Sequence, residues 1–140
     1  MLCLPVLAEA PAILTMNGVS LMFSRVELEA VVGAPVQSRP LKASLFGEFY
    51  EYTYKCGLII GMPDRKPTSR PTMLLGTKLA SRGQAIPVGL TPDQLETELG
   101  EPSEQEDWRW AYHDPDRQTQ LLAFFEEGRV TRYAVTRLKP

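Results

Sequence analysis

The chain contains only two cysteines and one histidine, which leaves few side chains for a metal or redox site. Cys3 and Cys56 form no Cys-x-x-Cys motif, and zinc needs three or four converging ligands, so we expect no metal and no cofactor. The two cysteines could form a disulfide in an exported protein or remain unpaired thiols. His113, although it stands beside Asp114 and Asp116, is typical of a solvated turn residue.

The sequence also lacks an excess of basic residues and a long apolar run. A net charge of −2, a pI near 5.5 and scattered basic residues argue against nucleic-acid binding. No apolar stretch approaches the roughly 20 residues of a transmembrane segment. There is no glycine-rich phosphate loop or nucleophile elbow, and the acidic run at 101–107 is typical of a solvated connector. The sequence therefore predicts a protein that is not an enzyme.

One pattern of helix start and stop signals occurs twice, at residues 24–35 and 91–102. Each segment begins with a hydroxyl residue, followed at the third helical position by Glu or Gln, which is the capping box. Each ends with Gly-x-Pro, a helix stop followed by a residue that cannot continue the helix. We predict two short helices, separated from later elements by polar connectors at 36–40 and 101–107.

Apolar and alternating runs predict strands for most of the remaining chain. These runs lie at 45–54, 57–61, 72–81, 86–90, 107–113, 119–125 and 129–138. Turn residues between them predict turns at 17–18 and 81–83 and a hairpin turn at 126–128. A helix of about ten residues is marginal alone in water, so both helices should lie on a sheet. The predicted fold is α+β, with two tandem repeats of a short helix followed by an antiparallel β-meander and with the helices on one face of the sheet. The predicted division is an N-terminal arm or remnant of an export signal at 1–17, repeat 1 at 18–85 and repeat 2 at 86–140, in one structural domain.

The order of these motifs resembles the BamE/SmpA-OmlA group of small bacterial envelope proteins and the related repeats of the β-lactamase inhibitor protein. The resemblance is strongest over residues 89–130. The motifs that occur there, in this order, are Gly-Leu-Thr-Pro-Asp-Gln-Leu, Leu-Gly-Glu-Pro, Trp-Ala-Tyr and Phe-Phe-Glu-Glu-Gly-Arg-Val. Residues 18–54 carry the first copy. The resemblance implies modules that bind other proteins without catalysis. Cys3 follows only Met1-Leu2, so the lipobox of the BamE-like lipoproteins is missing and their membrane tether does not transfer.

The candidate partner-binding residues are aromatic and basic. They are Tyr50, Tyr52, Tyr54, Trp108, Trp110 and Tyr112 in two alternating runs, and Arg65, Lys66 and Arg70 in the proline-rich segment 62–71. The aromatic side chains could form a protein-binding face, or they could lie beneath the helices as core. In the second case the binding surface would be the other side of the sheet, with Glu51, Thr53, Lys55 and Arg109. Segment 62–71 would be a binding loop or an ordinary hairpin connection.

These observations predict a non-catalytic protein-binding module of the bacterial cell envelope or exterior, which docks through an open sheet face and its loops. One alternative is a secreted or immunity-type inhibitor that inserts segment 62–71 into an enzyme. Another is a small-ligand carrier with a closed pocket between sheet and helices. Export rests on the apolar residues 2–7 and the small-x-small pattern at 8–10, with a cytoplasmic location as the alternative. A protein partner is expected, and the oligomeric state stays open.

Overall fold

Strands dominate the computed structural model, which describes residues 14–41 and 49–138. The helices are α1 (Arg25–Val32) and α2 (Pro92–Leu99). The strands are β1 (Leu14–Met16), β2 (Gln37–Leu41), β3 (Phe49–Thr53), β4 (Ile59–Met62), β5 (Met73–Gly76), β6 (Leu79–Ser81), β7 (Gln84–Ile86), β8 (Glu104–Gln105), β9 (Arg109–Asp114), β10 (Thr119–Glu126) and β11 (Arg129–Arg137).

Both helices begin and end where the sequence signals predict. The Ser24 hydroxyl accepts a hydrogen bond from the Glu27 backbone N–H, and the Ser24 N–H donates to the Glu27 carboxylate. Thr91 and Gln94 make the same reciprocal pair at the start of α2. Each helix ends at a glycine with positive φ, 89° after α1 and 86° after α2, a conformation that favours glycine. The two predicted capping boxes are confirmed.

Eight strands form one antiparallel sheet in the order β2-β3-β4-β5-β11-β10-β9-β8. The strand numbers run inwards from both edges to the central pair β5–β11, where Leu75 lies opposite Ala134. The edge strands are polar or very short: β2 contains Pro40 and is mostly exposed, and β8 has two residues. The sheet therefore has long, apolar strands in its centre and weak edges, that is, edge strands poorly suited to pair with a further strand.

A separate three-stranded sheet has the order β1-β6-β7. The turn after β1, at 17–18, and the turn between β6 and β7, at 82–83, each contain two consecutive residues with positive φ. Two such residues match the right-handed twist of a tight hairpin. The turns predicted at these places are confirmed.

The core lies on one face of the large sheet. Leu28 of α1 and Leu95 of α2 are buried there, together with Met16 and Leu79 from the small sheet. The side chains of the large sheet in the same cluster are Tyr52, Tyr54, Ile60, Met62, Leu74, Trp110, Leu121, Ala123, Phe125, Val130, Tyr133 and Val135. The helices and the small sheet thus occupy the same face, which we call the helix face.

The predicted α+β fold of two tandem helix-plus-meander repeats is wrong. The described residues are 45% strand and 14% helix, and their strands form an eight-stranded and a three-stranded sheet. The later strands do not stay in separate meanders, because β5 pairs with β11. The connectors predicted at 36–40 and 101–107 contain the edge strands β2 and β8. The single strand predicted at 72–81 divides into β5 and β6, which belong to different sheets.

Candidate partner-binding surface

The face of the large sheet opposite the helix face carries a continuous row of apolar residues. Ile59, Leu75, Ala134, Leu122 and Ala111 are directly paired, each with the next, across β4, β5, β11, β10 and β9. Directly paired residues project to the same side of a sheet, so these five side chains form one row. We call this the apolar row, and the face that carries it the open face. The two alanines are buried by their neighbours but do not belong to the core cluster.

A phenylalanine ring packs on the open face beside the apolar row. A Cβ atom added to Gly61 would lie 2.5 Å from Cζ of Phe49, so the ring lies directly over the glycine backbone. Gly61 is paired with Met73, whose side chain is half-buried on the same face. The absence of a side chain at Gly61 therefore leaves the space that the Phe49 ring occupies. With Phe49 and Met73, the apolar surface extends beyond the apolar row.

On the other side of the apolar row, aromatic rings and guanidinium groups stack on each other. The ring centroids of Trp108 and Phe124 are 6.3 Å apart. The guanidinium carbon of Arg109 lies 5.1 Å from the Trp108 ring centroid, and that of Arg132 lies 4.9 Å from the Phe124 ring centroid. Phe124 is paired with both arginines, which fixes all of them on the open face. We call these four residues the aromatic corner.

Charged residues border the apolar surface in pairs. The Arg39 Nε and a Glu51 carboxylate oxygen are 2.9 Å apart on β2 and β3. At the other edge, His113 Nε2 and Glu104 are also 2.9 Å apart, across β9 and β8. Exposed ion pairs contribute little to stability. Their position is more informative, because an apolar centre with a polar rim is the usual anatomy of a protein interface.

The predicted aromatic residues lie in different places. Tyr52, Tyr54 and Trp110 are buried in the core, as the second of the two alternatives describes. The Tyr54 hydroxyl donates to the Glu29 carboxylate at 2.7 Å. Burial raises the pKa of Tyr54, and the hydrogen bond to Glu29 raises it further.

Tyr50 and Tyr112 are half-buried, and their side chains pack against the core. The Tyr112 hydroxyl donates to the Gly100 carbonyl at 3.0 Å, which ties β9 to the end of α2. Burial raises the pKa of Tyr112 to about 12. The guanidinium carbon of Arg65 lies 4.7 Å from the Tyr50 ring centroid.

Trp108 departs from the alternation that the sequence indicates. It is 53% exposed and stacks with Phe124 on the open face, whereas Trp110 and Tyr112 face the core. Trp108 lies in the bend before β9 begins, so the strand periodicity does not extend to it. Of the alternative surface residues, Arg109 belongs to the aromatic corner, and Glu51 lies at the rim.

The segment 62–71 supports α1. The backbone carbonyls of Ser69 and Pro67 accept hydrogen bonds at 2.9 Å from the N–H groups of Arg25 and Val26, the first two residues of the helix. These N–H groups have no partner within a helix, so the segment completes the helix start. Its own basic residues, Arg65, Lys66 and Arg70, are exposed. Their role in partner binding stays a prediction.

The open face could have been found from pairs of adjacent apolar residues. In each of three such pairs, one residue lies on the helix face and the other on the open face. The pairs are Ile59-Ile60, Leu74-Leu75 and Leu121-Leu122. Since neighbouring residues of a strand point to opposite sides, two apolar residues in succession indicate a strand that is apolar on both faces. The alternation of aromatic residues, by contrast, indicates the face beneath the helices and not this one.

The described part of the chain also bears on metal, thiol and membrane-spanning sites. Within residues 14–41 and 49–138, no group of three His, Cys, Asp or Glu could hold a metal ion. Cys56 is an exposed free thiol, and Cys3 lies outside the described residues, as does the suggested export segment. No helix in these ranges has the length and apolar character needed to cross a membrane.

No protein-family model, no curated protein and no solved structure matches this chain. The resemblance to the BamE-like and inhibitor-protein families therefore rests on the order of sequence motifs alone.

Proposed function

We propose that this chain is a non-catalytic protein-binding module that docks its partner on the open face. The observation that carries the proposal is the apolar row across five strands, bordered by the aromatic corner and by ion pairs. A contiguous apolar surface on a soluble protein, rimmed by polar residues, often marks the site of a partner. A location in the bacterial cell envelope or exterior fits the apolar residues 2–7 and the small-x-small pattern that follows them.

The apolar row is available to a partner because, among the described elements, both helices and the small sheet lie on the helix face. Their buried side chains lie in one cluster there. Ile59, Leu75 and Leu122 are half-buried on the opposite face, so part of each side chain remains in contact with water. Covering this hydrocarbon would release about 25 cal/mol for each Å² removed from water.

The aromatic corner would supply the anchor of such an interface. Tryptophan, tyrosine and arginine dominate the energetics of protein interfaces, and the two aromatic residues offer large contact areas with few rotatable bonds. Trp108 combines high exposure with a fixed orientation, since its indole N–H donates to the Glu106 carboxylate at 2.9 Å. The stacked Phe124 ring supports it from the strand below.

The test compares retention of proteins from an envelope extract of the source organism on three immobilised proteins. These are the wild type, Leu122→Lys on the open face and Val31→Lys on the exposed surface of α1. A bound partner should be retained by the wild type and by Val31→Lys, and lost with Leu122→Lys, because the lysine places a charge in the centre of the apolar row. Reverse capture with the identified partner must then show the same order.

Matching stability of the three proteins, measured by urea unfolding, shows that the lost retention is a loss of binding. The proposal fails if the wild type retains no protein specifically. It also fails if Leu122→Lys and a fourth immobilised protein, Trp108→Ala in the aromatic corner, both retain the partner as well as the wild type does.

A further inference from the structure

A cleft of about 370 Å³ lies on the helix face, where residues 20–22 meet the end of β11. Its volume falls within the range of small-molecule sites. Leu14, Leu21 and Val135 give it apolar walls, and Met22, which is 58% exposed, lies at its rim. We call it the Arg137 cleft, after the charged residue that lines it.

The positive charge of Arg137 is not matched by a carboxylate in the described part of the chain. Its Nε donates to the Pro71 carbonyl at 3.2 Å, and its Nη2 donates to the Leu21 carbonyl at 2.9 Å. A guanidinium has five N–H donors, and Nη1 has no acceptor among the described residues. Burial, together with the like charge of Arg70, lowers the pKa of Arg137.

Ser20 brings a second donor to the same cleft. The residue is 5% exposed, and its Oγ accepts a hydrogen bond from the Met22 N–H at 3.1 Å. The hydroxyl hydrogen finds no acceptor within the described ranges. The acidic residue of the lining, Asp114, is already paired with Arg117 at 2.8 Å, so its charge does not compensate Arg137.

We propose that the Arg137 cleft binds a small apolar monocarboxylate, of the chemical class of a medium-chain fatty acid. The carboxylate would accept hydrogen bonds from Arg137 Nη1 and the Ser20 hydroxyl, and the hydrocarbon chain would lie against Leu14, Leu21 and Val135. Hydrogen bonds between charged groups are stronger than neutral ones, and a charge beside apolar walls is costly unless it is paired. The ligand would not touch the open face, so this site is separate from the proposed partner surface.

The proposed ligand class can be tested with three probes. Each probe is titrated into the full chain, and binding is followed by changes in NMR chemical shifts. Octanoate should bind in a saturable manner. We expect 1-octanol, which has the same chain without the charge, to bind about tenfold more weakly or worse, because it leaves the guanidinium unmatched. Acetate, which has the charge without the chain, should not saturate. Equal affinities for octanoate and 1-octanol would overturn the proposal, and so would a failure of octanoate to saturate.

Variants at the exposed rim test the location without disturbing the core. Met22→Glu adds a negative charge at the mouth of the cleft and should weaken octanoate binding about fivefold, whereas Met22→Gln should not. Val36→Glu adds the same charge at another exposed apolar residue and should leave octanoate binding unchanged. Arg137→Gln should reduce octanoate affinity to that of 1-octanol, with folding checked by circular dichroism. If Met22→Glu binds octanoate like Met22→Gln, or if Val36→Glu weakens binding equally, the cleft is not the site.

Discussion

Replacing Leu95 with alanine is expected to destabilise the protein by about 3 to 4 kcal/mol. The helix α2 has eight residues, too few to be stable alone in water. Leu95 is 0% exposed and is the buried residue of this helix, and the half-buried Leu90 and Leu99 pack against the same core. Its side chain therefore carries most of the attachment of α2 to the sheet.

The size of the expected loss of stability follows from the complete burial of the Leu95 side chain. The substitution removes three carbon atoms, each contributing about 0.8 kcal/mol of transfer free energy. The cavity left behind adds to this loss, because a packed interior closes only partly around a missing group. Glu98→Ala, at an exposed position of the same helix, should change the free energy of unfolding by less than about 0.5 kcal/mol.

The measurement is urea unfolding at equilibrium, followed by tryptophan fluorescence, which reports on the buried Trp110. Comparison of Leu95→Ala with Glu98→Ala separates loss of packing from a change in helix propensity. If Leu95→Ala costs less than about 1 kcal/mol, the core can collapse around the missing side chain, and the account of how α2 is held is incorrect.

Three further results are expected. Ser24→Ala and Thr91→Ala should each lower the free energy of unfolding by about 1 kcal/mol, measured with urea, because each removes the acceptor of a capping box. Gly61→Ala should lower the free energy of unfolding by about 1 to 3 kcal/mol because the added methyl group meets the Phe49 ring. The double variant Gly61→Ala/Phe49→Ala should then lose less than the sum of the losses in the two single variants. The phenolate absorbance of Tyr112 should appear near pH 12 and be missing in Tyr112→Phe. Since burial raises this pKa above the unfolded value of about 10, its contribution to stability is complete below that pH and lost as the pH rises through 12.

Local signals allowed the helix starts and several turns to be predicted from the sequence. A capping box needs a hydroxyl residue and a Glu or Gln at fixed spacing, and Ser24 with Glu27 meets this condition within four residues. The turn predicted around Glu127-Gly128 joins β10 to β11, and both residues have positive φ. Such features depend on neighbours in the chain, so they can be read without knowledge of the fold.

The sheet could not be predicted in the same way, because its pairing joins residues that are far apart in the chain. Strand β2 has no apolar alternation and is held by its pairing with β3, so Gln37–Leu41 looks like a connector in the sequence. Likewise, the pairing of β5 with β11, which joins the two runs of strands, leaves no signal in either segment.

The candidate site was predicted in part. The alternating residues predict two possible faces for the partner, and the structure places Tyr52, Tyr54 and Trp110 in the core. Arg109 and Glu51, given for the other face, lie beside the apolar row. The row itself was missed, because hydrophobic residues are normally assigned to the interior and a second apolar face is not expected in a chain of this size.

The weak edges of the large sheet determine the direction from which another chain can approach. Pro40 has no N–H to offer a new strand, and β8 presents two residues, so backbone pairing at either end is discouraged. A protein with an apolar sheet face and unprotected edge strands would pair with other copies of itself, edge to edge, and form fibres. Here the two described edge strands disfavour extension of the sheet, so filament growth by strand addition is suppressed, and a partner of the proposed kind would have to approach the open face.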